Sequence, residues 1–537
     1  LVEIASELYD FGVSDAGDTF GVPRSGPKVV RLLRGGKTSL RGQLAQEFFR
    51  RTGKAAPQQA LADALLVIEG VAQDGDEQPL ALRVAQHDGA LWLDLGDATG
   101  RAVRITPDGW TVVDRAPVLF KRTALNAILP EPVPGGRITE LWNWLNVDPA
   151  DRPLVAAALV ATLYPDIPHP VLSFFGEQGT GKSTAVRVLI SVLDPSPVPL
   201  RKPPRDADSW VTAAAGSWVV GLDNLSEIPA WLSDSMCRAV TGDGDVRRRL
   251  YTDGDLAVFA FRRCLVINGI DVGAIRGDLA ERMLPINLHT ISERNRREEG
   301  DLWPAWDQVH PRLLGAVLDL AAGVAGVLPS VRLERKPRMA DFARILAAVD
   351  SVLDTDGLNR FLAKQGATAV DTLSADPFIT AMKTTFINTM FEGTAADLLA
   401  QMPPPADVRL PKGWPTTPRQ VTQVLKRQAP TMRKAGWEIH DDDGANRDKV
   451  LRWSIAPPAD LPEMAGIADP QHPRTPQIRP GAGVAGLAGD QYGPSQDEIP
   501  AIFPDFIRIT GPGRCAACGL HEDTQGHRDG CPERHVG

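Results

Sequence analysis

The stretch Val171-Leu172-Ser173-Phe174-Phe175-Gly176-Glu177-Gln178-Gly179-Thr180-Gly181-Lys182-Ser183-Thr184 decides how this chain is read. Its second half matches G-x-x-x-x-G-K-S/T, the pattern of a phosphate-cradling loop. An apolar run, Val171–Phe175, enters the loop as a strand. A helix leaves it, with Val186, Leu189, Ile190 and Leu193 on one face. Glycines let the backbone curl so that its N–H groups converge on phosphate oxygens, and the helix N-terminus faces the same anion. Lys182 is expected to reach the β- and γ-phosphates of ATP, and Ser183 to ligate Mg²⁺. The bland alternative is a chance glycine-rich turn, which the flanking strand and helix weigh against.

Two further apolar runs end in polar residues. Ser217–Leu222 runs into Asp223, an acid placed to complete the Mg²⁺ shell. Cys264–Ile267 runs into Asn268, an amide able to bond the terminal phosphate or the attacking water. Both have turn-residue readings, but strand ends are also where such sheets bind ligands. Glu227 and Glu177 are the nearest candidates for a catalytic base. Arg282, then Arg276, are the candidates for a cation that stabilises developing phosphate charge, with surface pairing to Glu281 or Asp278 as the alternative. Between the second and third runs, Arg247, Arg248 and Arg249 precede an Asp253-Gly254 turn signal. The pattern predicts a basic hairpin suited to a phosphate backbone, or else a solvated edge.

Outward from this block, the 537-residue chain divides by pattern. Residues 1–80 read as helical. Residues 81–135 read as a β-rich module, 136–168 as a helical bridge, and 169–300 as the α/β core. Residues 301–405 read as a helical subdomain. Residues 406–456 carry helix, helix and two strands, read as a winged-helix-like module, with a lid subdomain as the alternative. There Thr417 and Pro418 open a helix, a second helix includes Met432, and Arg419, Lys426, Arg427, Arg433 and Lys434 would meet DNA phosphates. Residues 457–505 form a Pro/Gly-rich linker, and 506–537 a tail. In the tail, Cys515, Cys518, Cys531 and His535 have spacing suited to Zn²⁺, with His521 and His527 as alternative ligands.

Composition narrows the function classes. With 58 Lys+Arg against 67 Asp+Glu the formal charge is −9, so any nucleic-acid surface must be local. Residues 25–54 hold Lys28, Arg31, Arg34, Lys37, Arg41, Arg50, Arg51 and Lys54 against Glu47, a run read first as a solvated helix face. No apolar run reaches the ~20 residues that span a bilayer, and the first residues lack a secretory pattern. Five cysteines in such a length make no disulfide framework, so a reducing, cytoplasmic setting without a membrane partner is expected.

Taken together, the motifs resemble those of superfamily 3 helicases of the AAA+ class, in their phage and plasmid primase-helicase branch. The resemblance rests on Gly176–Thr184, Val219–Asn224, the basic hairpin, and Leu265–Gly269 followed by arginines. The block also resembles ATPases of actinobacterial phages and integrated elements. It implies a P-loop NTPase core with a helical lid, Lys182 and Ser183 as phosphate and Mg²⁺ residues, Asp223 as the second motif and Asn268 as the sensor. The implied activity is that of a hexameric ring hydrolysing ATP between subunits and acting on single-stranded or forked DNA, with a primase or replication initiator as partner. Asn224 stands where the family commonly has a second acid, which keeps a slowly hydrolysing assembly switch as a rival. A small-molecule phosphotransferase is a third reading, weakened by the absence of any visible acceptor site.

Overall fold

The computed structural model describes residues 1–458 apart from 35–38, 244, 249–255, 260, 270–274, 276, 375, 403–409, 412–413 and 444–449. At 245–248, 256–259, 295 and 372 it describes the backbone alone. Arg249, Arg276, the linker beyond 458 and the Cys515/Cys518/Cys531/His535 set therefore lie outside the described residues.

A five-stranded parallel sheet carries the centre of a mixed α/β fold. Its order is Leu200–Arg201, Val219–Leu222, Cys264–Asn268, Val171–Phe175, Met283–Asn287. The three inner strands are almost wholly buried, as an all-parallel sheet covered on both faces requires. On one face, helix Lys182–Leu193 packs with helices Arg152–Thr162 and Glu299–Val327. On the other, Trp210, Val211, Leu232 and Met236 come from helices Ala207–Ala215 and Ala230–Thr241. The strand Cys264–Asn268 lies between the strands that lead into Gly176 and Asp223, so all three tips share one edge of the sheet.

The N-terminal region departs from the helical expectation. Helices Val2–Leu8, Leu40–Thr52 and Gln58–Gln73 pack on a four-stranded sheet in which Tyr9–Ser14 pairs antiparallel with Thr19–Pro23 and parallel with Glu77–Gln78. The apolar residues at 29–33 feed a short strand, Arg31–Leu32, rather than a helix. An antiparallel meander follows over Val84–His87, Ala90–Asp94, Ala102–Thr106 and Gly109–Val113. It is fastened to the central fold by a buried ion pair, Arg83 Nε to Asp194 Oδ1 at 2.8 Å. Asp194 Oδ2 in turn accepts from the backbone of Trp218 and Val219, at 3.0 and 2.9 Å, where the acid strand begins.

Helix Glu299–Val327 is long and apolar enough to cross a membrane by length and composition, yet 56% of its apolar window is buried inside the fold. Within it, the Asp319 carboxylate accepts from Trp110 Nε1 at 2.7 Å.

The C-terminal core gathers Leu373 to Ile455, so helix Pro377–Thr385, strand Phe391–Thr394 and helix Ala395–Gln401 pack with it, and the expected break at 405/406 falls inside this core. Its sheet has three strands, Phe391–Thr394, Arg452–Ala456 and Glu438–Asp441. Thr417 caps helix Pro418–Lys434 by accepting from Gln420 N. Two helices were expected over 418–434, but a single one runs through Pro430. Pro430 is exposed, so the carbonyl its missing N–H leaves free faces water, and the break is not forced.

Candidate functional site

The phosphate loop takes the backbone its sequence demands. Gly176, Gly179 and Gly181 have φ of 147°, 81° and 79°, in the region that L side chains avoid. Thr180 is buried and ties the loop internally, its Oγ1 donating to Glu177 O at 3.0 Å. Lys182 opens the helix, and its Nζ donates to Gly176 O and Glu177 O, both at 2.6 Å. Partial burial lowers the Lys182 pKa by desolvation. Gln178 is exposed and Thr184 half-buried.

One carboxylate oxygen joins the three strand tips. Asp223 Oδ1 accepts from Ser183 Oγ at 2.9 Å and from Asn268 Nδ2 at 2.7 Å. Asn268 is buried, and its Oδ1 accepts from Asn224 N at 2.7 Å. Asn224 occupies the left-handed region, φ 57°, which Asn tolerates better than most residues. Its side chain is exposed. A hydroxyl and a carboxylate side by side are hard oxygen donors that fit Mg²⁺. The glycine loop beside them fits the phosphates of ATP.

The other sequence candidates are placed less centrally. Glu177 and Glu227 are exposed, with no side-chain hydrogen bond to a described residue. Arg282 is 9% exposed, and Nη1 pairs with Asp278 Oδ1 at 2.7 Å while donating to Asp278 O at 2.8 Å. The basic hairpin pairs Arg247 with Ala257 and Arg248 with Leu256 in backbone register.

On helix Pro418–Lys434 all five candidate cations are exposed. Lys434 is engaged by Glu281 at 2.8 Å, and Arg433 Nε donates to Ile439 O at 3.1 Å. Arg419, Lys426 and Arg427 make no ion pair with a described residue. Glu281 also holds Arg338 at 3.2 Å, and Arg338 reaches Asp278 at 2.7 Å. In the N-terminal run, Arg34 pairs with Glu69 and Arg51 with Glu7, both at 2.6 Å; Arg51 lies on helix Leu40–Thr52, whereas Arg34 follows the short strand and is on no helix.

Sequence reasoning missed residues 288–297, which follow the edge strand and lie against the loop. Leu288 N donates to Phe175 O at 2.8 Å, and Leu288 bridges Val147. His289 pairs with Asp148 at 3.4 Å, and its carbonyl accepts from Asn146 Nδ2. Arg297 lies over the Trp144 ring at 5.2 Å. The one available signal was the run Arg294-Asn295-Arg296-Arg297.

A mixed α/β chain with a parallel sheet and these converging strand tips is the class the fold defines. The model of the actinomycete integrative conjugative element replication protein matches residues 138–373, and that of the AICE RepA C-terminal domain matches 375–465. Together they span well over half of the chain, which belongs to this family of replication proteins.

Among solved structures, the chain is similar to the active helicase Cch of SCCmec type IV, at 12% identity over 84% of this chain and 93% of that one, with a TM-score of 0.43. It is also similar to the apo C-terminal region of NrS-1, at 13% identity over 72% of this chain and 82% of that one, TM-score 0.32. The A form of the same region gives 14% identity over 84% and 98%, TM-score 0.33. No curated protein matches.

Proposed function

We propose that this replication protein is an ATP-dependent DNA helicase or translocase, built on a P-loop NTPase core, that forms a ring and hydrolyses ATP at its subunit interfaces. The observation that carries the reading is the sharing of Asp223 Oδ1 by Ser183 and Asn268. Ser183 and Asp223 hold Mg²⁺, Lys182 draws the terminal phosphates, and Asn268 sets the Asp223 carboxylate and the Asn224 turn in one frame. The arginine hairpin and the cations Arg419, Lys426 and Arg427 grip the DNA backbone, which would be single-stranded or forked. Arg282 pairs with Asp278 within its own subunit, and would have to leave that carboxylate to stabilise phosphate charge across a boundary.

ATP turnover measured with and without single-stranded DNA tests this. Lys182→Ala should lower turnover by about a hundredfold or more with the fold kept. Arg248→Ala should retain basal turnover and lose stimulation by DNA. Particle mass should rise to that of a ring with ATP and DNA together. A wild-type protein that unwinds forked DNA equally well with Arg248→Ala ends the hairpin assignment.

One observation favours a second reading, an ATP-dependent assembly switch with slow hydrolysis: Asn224, not an acid, follows Asp223. Slow turnover indifferent to DNA would select it.

A further inference from the structure

The segment after the edge strand covers the phosphate loop at each of its glycines. A Cβ on Gly176 would stand 2.7 Å from Leu288 O, one on Gly181 3.1 Å from Ile291 Cδ1, and one on Gly179 3.0 Å from Arg296 Nη2. Side chains on the loop would displace this strap, so the glycines serve its approach as well as the curl of the backbone.

The strap is pinned on both sides of Arg296. Before it come the Leu288 bridge to Val147 and the His289–Asp148 pair at 3.4 Å. After it come Arg297 on Trp144 at 5.2 Å, and Glu299, which pairs with Arg187 of the loop's own helix at 3.3 Å. Between the pins, Arg296 is exposed, and its guanidinium makes no ion pair or side-chain hydrogen bond with a described residue. A cation at the turn of a phosphate loop, held near by a fixed strap and not neutralised there, has an evident anion to meet.

We propose that Arg296 binds the phosphates of the nucleotide from within the same subunit, as a second cation beside Lys182, and distinguishes triphosphate from diphosphate. This rests on the nucleotide reading above and deepens it. Lys182 is a point charge, whereas the guanidinium fork spans two phosphate oxygens at once. A triphosphate carries more negative charge and more terminal oxygens than a diphosphate, so loss of the fork weakens it more.

The test is titration of the full chain with a fluorescent non-hydrolysable ATP analogue and with the matching ADP analogue. Lys182→Ala, Arg296→Ala and Arg296→Lys are compared with wild type. Arg296→Ala should bind the triphosphate about 10- to 100-fold more weakly, the size of a charge-assisted hydrogen bond, and the diphosphate less than about threefold more weakly. Arg296→Lys should recover part of the loss. The unfolding midpoint should not move, because the side chain lies on the surface.

Arg296→Ala binding both analogues as wild type does, or losing both by one factor, overturns the inference. No binding by wild type, or undiminished binding by Lys182→Ala, overturns the nucleotide reading beneath it. That failure is recognisable because it does not involve position 296.

Discussion

Arg83→Met examines how the β meander is held to the central fold. The Arg83 side chain is 0% exposed and that of Asp194 is 1% exposed. The guanidinium donates to Asp194 Oδ1 at 2.8 Å, Asp94 O at 3.0 Å and Ala127 O at 2.8 Å. Methionine fills much of the volume but leaves a buried carboxylate without its cation and removes a donor from two carbonyls. Removing one partner of such a pair costs about 3–5 kcal/mol. Asp194 keeps its bonds from the Trp218 and Val219 backbone, so a loss near ~4 kcal/mol is expected, not a larger one.

Urea unfolding followed by tryptophan fluorescence reads this, because Trp218 starts the strand that Asp194 holds. The loss should be the same at ~0.1 M and ~1 M salt, since water and ions do not reach the pair. Pairing the change with Asp194→Leu should recover part of it, as an apolar pair replaces the charged one. A loss below ~1 kcal/mol, or one that salt abolishes, would refute the reasoning.

Three other outcomes are expected. His169 is buried against Trp218 and near Arg262, and desolvation first, then that charge, lowers its pKa to about 3 from 6.5. The unfolded chain therefore takes up a proton below pH 6.5 that the folded chain refuses until about 3. Stability is full above that window and falls within it as pH drops, by about 2 kcal/mol at pH ~5. His169→Phe should flatten this slope in unfolding measured across pH. Alanine at Arg419, Lys426 and Arg427 together should reduce the slope of log affinity for DNA against log salt by up to about 3, measured by anisotropy, and an unchanged slope would remove the helix from the DNA surface. Burial pushes the Cys237 thiol up to about 12 and the Cys264 thiol higher still. Neither should be alkylated in the native protein at neutral pH, as peptide mapping would register, and both should react once it is unfolded.

What was legible in the sequence was local. The loop glycines, the strand before them and the helix after them specify one another within a few residues, and Thr417 with Pro418 marks its helix start unaided. What was hidden depends on distant partners. Tyr9–Ser14 is a strand because it pairs with segments up to Glu77–Gln78, a contact no short window contains. The second helix expected around Met432 is the continuation of the first, which runs through Pro430. For Arg282 the sequence left two readings open, and the structure has it paired with Asp278 at 2.7 Å. Within the candidate site, the loop pattern singled out Lys182 and Ser183, and the polar ends of two apolar runs singled out Asp223 and Asn268. The shared Asp223 oxygen and the nearness of Arg296 to Gly179 arise only when the sheet is assembled.

The Glu281 carboxylate, gripped by Lys434 on one side and Arg338 on the other, acts as a mechanical joint. It joins the basic C-terminal helix to the turn before the edge strand Met283–Asn287, and that strand runs straight into the strap. One carboxylate thus ties the far module to the edge strand whose continuation lies against the loop at Gly176, Gly179 and Gly181.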